Sequence, residues 1–448
     1  MSRRARAGPP GVVLRAVPAM PGPPIPPTPD APARRRTLRL VGDPASSAAQ
    51  RPLNVLYVDH TGLVGGGERS LLALLEALPA QARARLAAPA GPLQDRARER
   101  GVCAWTIAES SGSLRLHPVH TPLALGAMAA AATGVLRAAR GWPADVLHAN
   151  SIRAGLIAAP VARALRLPLV LHVRDCLPPS PLTERLQRGL AANAAAVIAI
   201  SRHVAATFDP DGVASRLTVL PNPFDLTRLD PSRLTRAAAR ERLGLPAGAP
   251  VLGLVGQITP WKGQEEAIRA LAQLRAGHPQ ARLLIVGEAK FVAKATRFDN
   301  RAYLDGLHRL VEEVGLGDAV RFLGEREDIP EVMRACDVAL TPSWEEPFGR
   351  VVVEAMAMGV PVVATAAGGP AEIITDGRDG LLVTPRRPDL LAAAIERLLD
   401  DADLRDALGT AARRTASGYG AQRHVAGVMG VYRSVVRSER KFGATPFV

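Results

Sequence analysis

"LNVLYVDHTGLVGGGERSLLALLEAL", residues 53 to 78, carries a complete supersecondary unit. A mostly apolar run, Leu53 to Val58, interrupted only by Asn54, gives way to Gly65, Gly66 and Gly67. Leu71, Leu72, Leu74, Leu75 and Leu78 then fall on one helical face. A strand so largely apolar is covered on both sides, as in parallel sheets flanked by helices. Glycines let a backbone approach a ligand closely, and the free amides at a helix start favour an anion such as a diphosphate. The spacing is not G-x-G-x-x-G, which disfavours a dinucleotide oxidoreductase.

The alternation repeats along the chain. "DVLHAN", "PLVLHVRD", "AAVIAIS" and "LTVLPN" read as further strands; after "PNPFDLTRLDPSRL" the pattern restarts with "PVLGLVGQI", "ARLLIVGE", "VRFLGE", "DVALTPS", "PVVATAAGG" and "GLLVTP". The fold class is therefore α/β, with two Rossmann-like, doubly wound parallel-sheet domains facing a central cleft. Their spans are 51–225 and 246–415, joined by a linker at 226–245. A helix within 416–448 closes the chain and packs back toward the first domain. Residues 1–50, rich in Arg and Pro and poor in hydrophobic pattern, are read as an unfolded tail.

Composition narrows the function. A net charge of +14 over 448 residues suits an anionic partner, but only 4% of residues are aromatic and no basic-aromatic interleaving of the kind that stacks bases is visible, which argues against nucleic acid. Cys103, Cys176 and Cys336 are widely spaced and lack C-x-x-C, so neither a disulfide framework nor a zinc site is expected, and a reducing, cytoplasmic compartment fits. The apolar stretch Leu123 to Leu136 stops at Arg137, short of the roughly 18 to 20 residues that cross a bilayer, so no membrane span is expected. Peripheral docking of the basic first domain on an anionic inner membrane surface is a further expectation, should the acceptor be lipid-linked.

Open parallel sheets bind ligands beyond the carboxyl ends of their strands, so the loops after strands matter most. One is "VGQITPWKG", with Gly256, Gln257 and a lysine, Lys262, able to reach a phosphate across the cleft. Another is "SWEEPFGRVVVEAMAMG", residues 343 to 359, which sets Glu346 before a short apolar helix and Glu354 inside it. A carboxylate among apolar neighbours needs a fixed donor or must face a cleft. Over a fully helical path the two glutamates would lie about 12 Å apart, a reach that suits two hydroxyl-bearing rings at the ends of one diphosphate. The amides of Phe348, Gly349 and Arg350 would meet the phosphates at the helix start. Gly368 and Gly369 in "AAGGPAEII" follow another strand, with Glu372 opening the next helix.

Taken in order, the "GGGE" loop, "GQITPWKG", E-x7-E at Glu346 and Glu354, and "GGPAEII" resemble a family-4 retaining glycosyltransferase of the GT-B fold, glycosyl transferases group 1, from about Leu53 to the C-terminal helix. The resemblance implies that Glu354 holds nucleotide ribose hydroxyls and Glu346 contacts the transferred sugar. It implies also that Lys262 stabilises the leaving diphosphate and that Gly66 and Gly67 line the donor phosphates. Two departures follow. Gln257 stands where many members have arginine. Arg174 occupies the place of a histidine that lines the donor sugar, while His172 lies two residues earlier on the opposite strand phase, as a core residue. Arg174, for an anionic acceptor or phosphate, and Asp175, for a hydroxyl, are thus the cleft candidates, and Arg174 joins Glu346 and Lys262 as a catalytic expectation.

The implied reaction moves a sugar from a nucleoside-diphosphate sugar, a donor substrate and not a cofactor, to a glycan, lipid-linked or small-molecule acceptor with retained configuration and without metal. Asp209-Pro210-Asp211 and Asp401-Ala402-Asp403 match the letters of a metal-binding D-x-D loop, but their turn and helix-start settings read as structural. Alternatives are a GT-B-fold sugar-nucleotide epimerase, a glycoside hydrolase using the two glutamates, and a non-catalytic basic protein of the membrane surface.

Overall fold

The computed structural model describes residues 51–110, 120–290 and 298–442. The tail at 1–50 and the last residues, 443–448, lie outside the described residues.

Seven strands form the first sheet: β1 (Leu53–Val58), β2 (Ala82–Ala88), β3 (Cys103–Thr106), β4 (Val146–Ala149), β5 (Leu169–Val173), β6 (Ala196–Ala199) and β7 (Leu217–Val219). Their order is β3-β2-β1-β4-β5-β6-β7, with every pair parallel. The second sheet holds β8 (Val251–Val255), β9 (Arg282–Val286), β10 (Val320–Phe322), β11 (Val338–Thr341), β12 (Val362–Thr365) and β13 (Leu381–Val383). It runs β10-β9-β8-β11-β12-β13, again parallel. Both are Rossmann-like, and in each the order reverses beside the first strand, between β1 and β4 and between β8 and β11. The central strands β4, β5, β6, β11 and β12 are buried at every position, as sheets covered on both faces require.

Strands β2 and β3 were not read from sequence. In "ARARLAA" arginines alternate with alanines because only its end is buried, and the edge strand "CAWT" is largely exposed, so neither shows a continuous apolar run. The linker is also more ordered than its composition suggests. Its helix Arg236–Arg242 packs on the second lobe, where buried Arg240 pairs with Asp337 at 2.5 Å and donates to the Ala335 carbonyl.

The helix His120–Arg140 is longer than the apolar stretch read from the sequence. It continues past Arg137 because arginines suit the negative end of a helix, and Pro122–Arg140, with a mean hydropathy of 1.4, is long and apolar enough to cross a membrane by length and composition. One face nevertheless belongs to the first lobe's core, through Ala131, Val135, Ala138 and Ala139.

The helix Ala421–Phe442 returns to the first lobe, where Val425, Val428, Met429, Tyr432 and Val435 pack with Val55, Tyr57, Leu71 and Leu74. Its buried His424 meets two further buried histidines, His148 and His172, of the first lobe. His148 Nδ1 is 2.7 Å from the Tyr432 hydroxyl, His172 stacks on His424 at 5.7 Å, and His424 Nδ1 donates to the Pro221 carbonyl. Burial first, and then the nearby Arg174 charge, hold His148 and His172 well below the usual imidazole range and His424 down to about 4. The fold thus favours neutral imidazoles, whereas the unfolded chain protonates them near about pH 6.5. Their contribution is complete above that value and declines as pH falls below it, in the case of His424 toward about 4. Urea unfolding compared at about pH 7.5 and about pH 5 should show a lower stability at the acid pH, and His424→Leu should reduce that loss by on the order of 2 kcal/mol. An unchanged midpoint would contradict this.

Candidate functional site

Both strand-order reversals point into the same gap, and the polar groups of the chain collect there. After β1, Asp59 is fully buried and accepts from the His60 amide at 2.7 Å and from Asn150 Nδ2, beyond β4, at 2.7 Å. Arg174, beyond β5, donates from Nε to Asn150 at 2.9 Å and from a terminal nitrogen to Asn222 at 2.7 Å. One network therefore ties the ends of β1, β4 and β5 to the loop after β7. It backs the glycine turn, since a Cβ on Gly67 would sit 3.1 Å from the Arg174 side chain. Glu68 accepts from the Gly65 amide at 2.8 Å; desolvation and then the Asp59 charge push it up to about 7.

Arg174 is consequently placed under the glycine turn, 5% exposed, with its guanidinium bound to Asn150, Asn222 and His172. Burial lowers its pKa to about 10, which leaves it charged at neutral pH. It holds the loop in position; it does not project from the cleft wall. His172 is fully buried, and Asp175 is exposed.

In the second lobe, Lys262 lies over the Trp261 ring at 4.2 Å and donates to Glu346 Oε2 at 2.5 Å. Gly256 faces the lysine stem, leaving 3.7 Å for a Cβ. Gln257 turns away, its amide donating to the Lys290 carbonyl at 3.1 Å. Glu346 is 8% exposed and also accepts from Ser343 at 3.2 Å. Its backbone carbonyl takes the Gly369 amide at 2.7 Å. The double glycine is a steric requirement here: a Cβ on Gly368 would meet the Glu346 carbonyl at 2.3 Å, and one on Gly369 would meet the Phe348 backbone at 2.2 Å.

Gly349 adopts φ of 94°, a left-handed conformation suited to glycine, and turns the loop into the helix Arg350–Ala357. No side chain caps this helix start, so its first amides keep the anion-binding capacity of a bare N-terminus. Phe348 is buried and stacks on Phe224, at the end of the first domain, at 6.3 Å.

Arg350 joins the lobes. It donates to Ser70, in the helix after the glycine turn, at 2.6 Å and to Glu354 at 3.3 Å, and its guanidinium lies 4.4 Å from the Phe224 ring centre. A Cβ on Gly66 would come to 3.4 Å from its side chain. Glu354 therefore faces the gap between the lobes, partly exposed, on a helix otherwise sunk in the core. Ser201 of the first lobe adds a bond to the Pro347 carbonyl at 2.6 Å, and Glu372 accepts the backbone amides of Arg202 and His203 at 2.8 and 2.7 Å.

Sequence reasoning missed Ser70, Asn150 and Asn222. Asn150 and Asn222 close the apolar runs "DVLHAN" and "LTVLPN", and a polar residue ending such a run was the available signal. Cys176 lies beside two further polar groups: its Sγ, a ring nitrogen of His203 and a Glu345 oxygen are all within 4.8 Å of one another. Hydrogen bonds to Cys176 and Glu345 raise His203 to about 10. Asp209 and Asp401 act locally, Asp209 on the amides of Val213 and Ala214 and Asp401 on that of Leu404. A separate concavity of about 790 Å³ lies at the far end of the Arg350 helix, beside Met358 and Gly359. Of its four arginines, Arg334, Arg413 and Arg414 occupy last helical turns, where they complement the helix dipoles.

Comparison with known proteins places this geometry. Residues 235–415 match the model for glycosyl transferases group 1, and residues 64–228 match that for glycosyltransferase family 4. A D-inositol 3-phosphate glycosyltransferase of Stackebrandtia nassauensis is 33% identical over 331 residues, 68% of this chain and 72% of that protein. The chain belongs to the group 1, family 4 glycosyltransferases. The 2-deoxystreptamine glucosyltransferase of Streptomyces kanamyceticus is 32% identical to this glycosyltransferase over 53% of its chain and 63% of the relative. Anabaena HepE, solved in complex with UDP and glucose, superposes with a TM-score of 0.75 at 30% identity, covering 85% of this chain and 100% of that one. The architecture is accordingly GT-B.

Gly369→Ala tests the loop geometry of this glycosyltransferase. The added methyl forces the Glu346 loop outward, so thermal unfolding should show a loss of about 1–3 kcal/mol with sugar transfer falling alongside. Unchanged stability and activity would show that the loop gives way freely.

Proposed function

We propose that this glycosyltransferase moves a sugar from a nucleoside-diphosphate donor to an acceptor hydroxyl, retaining anomeric configuration and using no metal at the diphosphate. The observation that carries the reading is the pair of charge pairs along one gap, Lys262 with Glu346 and Arg350 with Glu354, flanking an uncapped helix start. Glu354 accepts the ribose hydroxyls, the first amides of the Arg350 helix and the glycine turn take the phosphates, and Glu346 accepts hydroxyls of the sugar.

Negative charge develops on the β-phosphate as the glycosidic bond breaks. Lys262, fixed over Trp261, shifts from Glu346 toward that oxygen and stabilises it in a site largely shielded from water. Glu346 is bound to Lys262 and Ser343, a setting of a hydroxyl acceptor more than of an attacking nucleophile. The reading therefore has no covalent sugar intermediate, and the departing phosphate takes the acceptor proton. HepE, solved with UDP-glucose at 30% identity, makes that nucleotide sugar the first donor to try. The acceptor belongs to the class of glycans, lipid-linked sugars or small polyols. A sugar-nucleotide epimerase has less support, because the family and its matched relatives are transferases.

Steady-state kinetics with donor and acceptor panels separate the roles. Glu354→Gln should chiefly raise the donor KM, Glu346→Gln should chiefly lower kcat, and Lys262→Ala should lower kcat on the order of 100-fold. Wild-type constants in all three would refute the assignment.

A further inference from the structure

The cluster that the transfer reaction leaves unused is Cys176, His203 and Glu345. Cys176 lies just beyond β5 and His203 opens the helix Arg202–Phe208, both in the first lobe, while Glu345 adjoins Glu346 in the second. One sulfur, one imidazole nitrogen and one carboxylate oxygen lie within 4.8 Å of one another, with His203 Nε2 3.4 Å from Glu345 Oε1. A nucleophile relay would use opposite ring nitrogens for the thiol and the acid. Here a single ring nitrogen converges with both, as in a ligand set.

From these observations we propose that Cys176, His203 and Glu345 form a site for a borderline-soft divalent ion of the Zn²⁺ class, and that the bound ion clamps the two lobes together. The ligand types fit that ion, and sulfur excludes a preference for Mg²⁺ or Ca²⁺. Tetrahedral Zn–S and Zn–N bonds of about 2.3 and 2.0 Å put ligand atoms about 3.5 Å apart, so the observed spacing needs only a modest contraction. The scaffold is fixed on both sides. The His203 amide is held by Glu372 at 2.7 Å, its ring lies 3.1 Å from where a Cβ on Gly368 would stand, and Gly369 pins the Glu346 loop that carries Glu345. Three protein ligands leave a fourth position for water, a labile arrangement rather than a closed structural one. The His203 ring is about one-third exposed and Glu345 about half, which gives an ion access. Binding displaces two protons, one from the Cys176 thiol and one from the His203 imidazolium, and leaves thiolate–metal and imidazole–metal bonds. Because the ion links first-lobe and second-lobe residues beside Glu346, it opposes the separation that releases product and so inhibits turnover.

The test uses the full chain with Cys103, exposed on β3, replaced by Ser, so that the thiolate signal reports Cys176 while Cys336 stays buried. Titration with Co²⁺ should produce a near-ultraviolet thiolate-to-metal band saturating at one equivalent. Cys176→Ser should abolish the band, and His203→Gln should weaken binding by more than the about 10- to 100-fold that loss of an outer-shell partner costs. Zn²⁺ should raise the melting temperature of the chain and inhibit transfer, with Cys176→Ser losing both responses. No band in the Cys103→Ser chain, or equal affinity when Cys176 or His203 is also replaced, overturns the site. A band without inhibition overturns the clamp. The absorption readout does not depend on the donor, so its failure is distinct from failure of the proposed transfer reaction.

Discussion

The constraint on which this molecule depends is the reversal of strand order beside the first strand of each sheet. Where successive helices go to opposite faces, the carboxyl ends of the two adjoining strands are left uncovered, and a crevice opens between their loops. This chain makes that crevice twice. The first holds the glycine turn and the network of Asp59, Asn150, Arg174 and Asn222; the second holds Lys262 and the loop from Ser343 to Arg350. The helix Ala421–Phe442 begins after the second lobe and completes the core of the first, so the lobes are bound together by the chain as well as by the cleft.

Charge inside such a cleft has to be paired, because an ion removed from water without a partner costs several kcal/mol. The arrangement meets this requirement with short-range pairs whose members can exchange partners. Lys262 neutralises Glu346 and Arg350 neutralises Glu354, while Arg350 also reaches Ser70 across the gap. In the proposed reaction a dianionic diphosphate would compete for the cations and release the carboxylates toward hydroxyl groups. The groups are thus set in place before the donor arrives, which limits the reorganisation left for the reaction step. Arg174 differs in kind: its donors are committed to neighbouring side chains, and it acts by fixing the loop.

Much of this was legible in the sequence because buried parallel strands leave a plain apolar signature and the loops that follow them stand out. Eleven of the strands announce themselves in this way, including β1, β8 and β11, which carry the decisive loops. The strands β2 and β3 did not, since their position toward the sheet edge removes the need for continuous hydrophobicity. Glu346 and Lys262 could be singled out because they lie in loops that follow strands, and Glu354 because a carboxylate within an apolar helix is costly without a partner. Contacts between lobes were not legible. Arg350 with Ser70, and Cys176 with His203 and Glu345, are set by how distant segments meet, and local spacing contains no record of that. Arg174 was misplaced for a related reason: strand phase suggested which face it takes, but not that Asn150 and Asn222 would wait there.

The central claim is that one sugar nucleotide lies between the lobes, with its diphosphate drawing Lys262 away from Glu346. The most direct measurement is a crystal structure of the chain soaked with UDP-glucose. The account predicts the ribose on Glu354, the diphosphate at the start of the Arg350 helix, and Lys262 Nζ within hydrogen-bonding distance of a β-phosphate oxygen. A nucleotide bound elsewhere, or Lys262 still on Glu346 with the phosphates out of its reach, would contradict it.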